Sequence, residues 1–331
     1  MPSERQSNIE FCRIASIILV MVVHTTFATF GWDSDSLWVR TLAGFSIVGA
    51  NVFVLITGYF SATPKKTSLI NLAFICLFWG IIGIVCKYLC GRHVGVSNIF
   101  FITSSNWFVV CYIGLLFFAP ILNVYCNTVS KSMLWGGVLL LTSIQIWFDW
   151  LPPYPSIGLG SREGYSLISF INLYLLARAI KLYGLPEWIK KLSPFIYLTC
   201  SILLVVGSQY TRGDIFGRTW WFAYNNPIVI LSSVAFLMCF ERLKFQSKFV
   251  NHIAKSTLAL LLGHTINSFL YSKPFVFIYD NYSGVKMIAL WFATIFVAFC
   301  IIVIIDQIRL FLYGFIQHYV NRIIKQNEFC N

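Results

Sequence analysis

The stretch Phe11-Cys-Arg-Ile-Ala-Ser-Ile-Ile-Leu-Val-Met-Val-Val-His24-Thr-Thr-Phe-Ala-Thr-Phe30 decides the architecture of this chain. It is about 20 mostly apolar residues, the length a helix needs to cross the hydrocarbon core of a bilayer. Glu10 and Arg13 stand at its start, and it lacks the small-residue cleavage pattern of a signal peptide, so it reads as a retained first helix. Nine further runs of the same kind follow, at about 44–62, 69–90, 107–126, 132–150, 165–182, 194–210, 226–242, 254–272 and 286–313. The expected fold is all-α, a polytopic transmembrane bundle of about ten spans forming a single membrane domain over residues 1–331. The last run is long enough to tilt or to continue as an interfacial helix.

Composition agrees with this reading. Hydrophobic residues make up 58% of the chain and aromatic residues 18%, while only 11% are charged. A soluble domain carries about 25% charged residues. With the N-terminus placed in the cytoplasm, two-thirds of the 24 Lys and Arg residues fall on that side, which puts both termini in the cytoplasm. The net charge of +12 then lies where anionic lipid headgroups are, and nucleic acid need not be invoked. No CxxC occurs, and most cysteines, such as Cys76 and Cys200, lie inside apolar runs, so they read as packing residues rather than a disulfide framework. Cys86, Cys90 and His93 lie close in sequence, but a fourth ligand is lacking and no metal site is expected.

Ionisable groups inside spans are expensive, which makes them functional candidates. Arg13 and His24 are 11 residues apart, so on a helix they lie about 20° apart in azimuth and about 16 Å apart along the axis. Glu10, one turn before Arg13, can pair with it. One face therefore offers a cation near the membrane surface and an imidazole deeper in. Coenzyme A, with a phosphorylated head and a long reactive arm, has the shape to bridge the two. The imidazole can act as a general base toward a hydroxyl. Equally, Arg13 can be a snorkelling residue and His24 can simply hydrogen-bond a neighbouring helix. His264, in the ninth run, can orient His24, bind substrate or pack. Asp306 and Arg309 read as an ion pair one turn apart. The loops near 150–165 and 209–225 are rich in aromatics, Gly and Pro, which suits sugar rings and also an interfacial aromatic belt. Soluble-enzyme signatures such as GxSxG, Walker A, GxGxxG and HExxH are absent.

The segment Asn8-Ile-Glu-Phe-Cys-Arg13 through His24 resembles the first helix of the membrane acyltransferase-3 family. Phe53-Val-Leu-Ile-Thr-Gly-Tyr-Phe60, Asn106-Trp-Phe108 with Tyr112 and Pro120, Gly164-Tyr-Ser166 through Asn172-Leu-Tyr174, Tyr224-Asn-Asn-Pro227 and the Leu-Gly-His264 segment continue the resemblance in order. It implies a multi-pass enzyme of the bacterial inner membrane that transfers an acyl group, usually acetyl from acetyl-coenzyme A. The acceptor would be a hydroxyl of a lipid-linked or polymeric surface glycan, such as an O-antigen or exopolysaccharide. His24 carries over as the catalytic residue and Arg13 as a contact to the donor, with no permanently bound cofactor. An Arg-x-x-Arg expected after the second span is missing, and Lys65 and Lys66 are candidates to replace it. Glu10, Trp107, Tyr112 and His264 are candidates for orientation or substrate contact. The extra C-terminal esterase-like domain of some members is not seen, so the membrane module would carry the whole reaction. A transporter or flippase for a lipid-linked saccharide is the alternative; it predicts repeated halves, and none stand out.

Overall fold

A computed structural model of the chain describes residues 6–31, 34–94, 106–150, 162–211 and 218–329. Among these residues every regular element is a helix. The longer ones are α1 (Ser7–His24), α2 (Leu37–Ser46), α3 (Val48–Tyr59), α4 (Lys66–Leu89), α5 (Trp107–Thr128) and α6 (Lys131–Trp150). They continue with α7 (Leu167–Tyr183), α8 (Glu187–Tyr210), α9 (Pro227–Glu241), α10 (Thr257–Ile266), α11 (Lys273–Asn281) and α12 (Gly284–Phe329). Among the described residues, seven helices are long and apolar enough to cross a membrane: α1, α2 with α3, α4, α5, α8, α9 with the turn before it, and α12. Of the other three runs, α6 is a single helix of 20 residues, α7 has 17, and the ninth is broken.

Local chemistry sets these boundaries. The first helix ends at His24 rather than Phe30, because the Thr25 and Thr26 hydroxyls donate to the carbonyls of Val22 (2.7 Å) and Val23 (2.6 Å). Such side-chain bonds compete with continuation of the helix. In the ninth run, Asn267 Nδ2 takes the Gly263 carbonyl at 3.1 Å and α10 stops at Ile266. Conversely, α8 begins at Glu187, ahead of the expected 194, and runs through Pro194. Proline cannot donate to the Lys190 carbonyl one turn back. Ser193 Oγ (2.8 Å) and Arg242 Nη1 (3.3 Å) donate to that carbonyl instead.

The helices divide into an inner and an outer set. In the most apolar 18-residue stretch of the Leu37–Tyr59 span 83% of residues are buried, against 22% in that of the Gly284–Gln317 span. The outer helices turn Phe117, Ile121, Phe296, Ile304 and Phe311 outward. That much exposed apolar surface calls for an apolar surrounding. Inside, helices approach closely: a Cβ on Gly58 of α3 would lie 2.6 Å from the Tyr174 carbonyl oxygen of α7. At one end of the bundle Ser7 donates to Gln246 (2.6 Å), Tyr59 to Glu241 (3.3 Å) and Tyr313 to the Thr67 carbonyl (3.0 Å). At the other, Trp291 Nε1 donates to Thr25 (2.9 Å) and Asn225 Nδ2 to Asp149 (2.6 Å).

Candidate functional site

The helices surround a partly open cavity of about 720 Å³. Arg13 and His24 both line it, as their helical spacing predicts. Arg13, Ser68, Asn71 and Lys255 line the end nearest Ser7. His24 and His264 stand further in, and Asn106, Trp107 and Tyr224 line the opposite part. Among the described residues lining it, two carry a fixed positive charge and none is a carboxylate.

Each wall has a local cause. Asn226 accepts from Ile228 N at 2.8 Å and Pro227 occupies the first helical turn, so Tyr224-Asn-Asn-Pro227 is a helix start. Asn51 Nδ2 donates to the Tyr224 carbonyl at 2.8 Å and ties that start to α3. The Tyr224 ring packs on Trp107, with centroids 5.5 Å apart, and Tyr165 lies 4.6 Å from Trp107. Tyr112 stacks on Phe108 and receives a hydrogen bond from Thr57 at 3.3 Å. Gly263 lets α10 lie against Trp79, whose ring would be 2.9 Å from a Cβ there, and this fixes the depth of His264.

The expected ion pair on α1 is present: Arg13 Nη1 contacts both Glu10 oxygens, at 3.0 and 3.2 Å. Among the described residues no hydrogen bond takes Arg13 Nε or Nη2. His24 Nδ1 and His264 Nε2 are 2.6 Å apart, and His264 Nδ1 is 2.5 Å from the Leu260 carbonyl. His24 is half-buried and faces the cavity, whereas His264 is buried.

Trp107, Tyr112 and His264 are thus brought to one space with Arg13 and His24, and Glu10 stands behind Arg13. Lys65 and Lys66 are not. Both are exposed, and from the same helix start it is Ser68 and Asn71 that reach the cavity. The second cation at the cavity is Lys255, a residue not among the expected donor contacts. Its signal is its place just ahead of the helix that carries His264. Asp306 and Arg309 do pair, but deep in protein: Asp306 Oδ1 and Oδ2 accept from Arg309 Nε (2.6 Å) and Nη2 (2.9 Å). Trp79 and Asn71 complete that cluster. Among the described residues no three His, Cys, Asp or Glu side chains form a metal-holding group, Cys86, Cys90 and His93 included.

Residues 151–161 and 212–217 of the two aromatic loops lie outside the described residues. At their described edges, Asp149 also accepts from the Glu163 backbone N–H at 3.1 Å. Burial, and then the charge of Asp149, push the Glu163 carboxyl above its usual range.

Fold and site together define a helical protein with seven helices among the described residues fit to cross a membrane, and a cavity that joins cations to a histidine pair. No family model, curated protein or solved structure matches the chain.

Proposed function

We propose that this protein transfers an acyl group, acetyl in the simplest case, from acyl-coenzyme A to a hydroxyl of a surface carbohydrate. It would do so from the bacterial inner membrane, with ten crossings and both termini in the cytoplasm. α6, α7 and the broken ninth segment would complete the ten; 17 residues is at the short end of what spans a bilayer.

One observation carries this reading: Arg13 and His24, about 16 Å apart along α1, line the same cavity. The cavity has cations at one end and an imidazole further in. An anionic phosphorylated head suits Arg13 and Lys255, assisted by the helix start that contributes Ser68 and Asn71. The pantetheine arm would reach inward, bringing the thioester to His24. Trp107 and Tyr224 offer aromatic faces for the ring of an acceptor sugar. His24 Nε2 then takes the proton of the acceptor hydroxyl while that oxygen attacks the thioester carbonyl. The C–S bond breaks, the ester forms, and the proton passes from Nε2 to the thiolate. Acyl-thioester and alcohol become ester and free thiol, with no other reactant.

The test is purified protein in lipid nanodiscs, given radiolabelled acetyl-coenzyme A and a lipid-linked glycan. Label should pass to the glycan, and His24→Ala should lower kcat by about 10²- to 10⁴-fold while the protein remains folded. Transfer that is unchanged in His24→Ala sinks the role of His24. Movement of glycan across the membrane of proteoliposomes holding the same protein, with no acylation, favours transport instead.

A further inference from the structure

The histidine pair contains more information than proximity. A carbonyl oxygen can only accept, so at 2.5 Å from Leu260 the Nδ1 of His264 must hold a proton and donate it. A neutral imidazole has one such proton, so His264 Nε2 is left with a lone pair. Across the 2.6 Å contact the donor must then be His24 Nδ1. The only nitrogen of His24 left for the cavity is Nε2, and it carries no proton. The geometry points to His264 as a positioning residue that selects the Nδ1–H tautomer of His24 and so exposes Nε2 as the base. The order is Leu260 carbonyl, His264, His24, then the reacting hydroxyl.

The surroundings keep this chain of bonds intact. His264 is only 2% exposed, so water does not compete for its ring. Tyr271 packs on that ring at 5.3 Å, but its hydroxyl donates to the Met21 carbonyl at 3.0 Å and is not offered to either imidazole. The Thr25 and Thr26 hydroxyls fix the end of α1 immediately after His24. A carboxylate could do the same positioning, as in the Ser-His-Asp arrangement. It would bring a full charge into the middle of an apolar bundle, where charge is costly. A second imidazole does the job as a neutral group. When His24 takes the hydroxyl proton on Nε2, its Nδ1–H remains on the His264 lone pair. His264 neither gains nor loses a proton, and the proton on Nε2 leaves with the thiolate.

The kinetic part of this inference rests on the acyl-transfer reading, whereas the tautomer part does not. The experiment therefore has two arms. In the first, full-length protein in nanodiscs is labelled with ¹⁵N-histidine, and the two ring nitrogens of His24 are assigned by comparison with His24→Ala. We expect a protonated Nδ1 and an unprotonated Nε2 in the unaltered protein. His264→Leu should shift His24 to the Nε2–H form, and His264→Gln, whose Oε1 can accept from Nδ1, should preserve the Nδ1–H form. A His24 protonated on Nε2 in the unaltered protein overturns the proposal without any variant having to fold. In the second arm, His264→Leu should lower kcat by about 10²- to 10⁴-fold at unchanged KM for the acyl donor, and His264→Gln should recover to within about tenfold. Equal loss in both variants, with the Nδ1–H form retained in His264→Gln, overturns the positioning role. If the unaltered protein transfers no acyl group, the acyl-transfer reading fails, and the tautomer arm still decides the bonding of the pair.

Discussion

Two helices of this protein carry the same short motif, an acid followed three residues later by an arginine, and use it in opposite ways. On α1 the pair is Glu10 and Arg13; on α12 it is Asp306 and Arg309. In the second, the carboxylate takes Nε and Nη2, Asn71 takes Nη1, and both residues are essentially inaccessible, at 0% and 1% exposure. In the first, among the described residues, Arg13 meets Glu10 through Nη1 alone, and it keeps 29% of its side chain exposed at the rim of the cavity. A buried guanidinium with all three nitrogens engaged is closed to ligands and serves to hold helices together. A half-satisfied one at a cavity edge can still receive an anion. Sequence spacing is identical in the two pairs; the number of neighbours completing each guanidinium is what separates them.

This contrast can be broken by substitution. Asp306→Asn keeps the volume but leaves a buried arginine without its counter-charge, and should cost about 3–5 kcal/mol in unfolding measured in detergent. A loss below about 1 kcal/mol would mean that the α12 pair is not structural. Arg13→Gln should do the reverse: Gln can still donate to the Glu10 carboxylate, so stability should fall by less than in Asp306→Asn, while KM for acyl-coenzyme A rises about tenfold, the equivalent of 1.4 kcal/mol. A large stability loss with unchanged KM would make the two pairs alike. Lys255→Gln should raise the same KM about three- to fivefold, and the effect should shrink with added salt as the contact is screened. The double variant Lys65→Gln, Lys66→Gln should change KM less than twofold, since both side chains lie outside the cavity. A larger change from this pair than from Lys255→Gln would restore them as the donor contacts.

The positions of the apolar helices, seven of them span-competent among the described residues, were legible because hydropathy is a local property and a span needs a run of fixed length. The shared orientation of Arg13 and His24 was legible for a similar reason: eleven residues of one helix fix azimuth and rise without help from any neighbour. Helix ends were less so. α1 stops at His24 and α8 runs through Pro194, both because of single hydroxyl or guanidinium groups that take particular carbonyls. Lys65 and Lys66 lie exposed at the start of α4, outside the cavity that Ser68 and Asn71 of the same helix line, and sequence position alone does not separate these neighbours.

By itself, then, the sequence determined that the chain is a bundle of apolar helices and that its first helix presents a cation and an imidazole on one face, because periodicity and length act within a segment. Tertiary structure alone decided that His264 meets His24, that Lys255 joins Arg13, and that Arg309 is closed off by Asp306 and Asn71, with Trp79 on the same carboxylate. Those outcomes depend on which helices touch and at what depth. His24 and His264 lie 240 residues apart in the chain, and only the packing of α10 against α1 brings them to 2.6 Å.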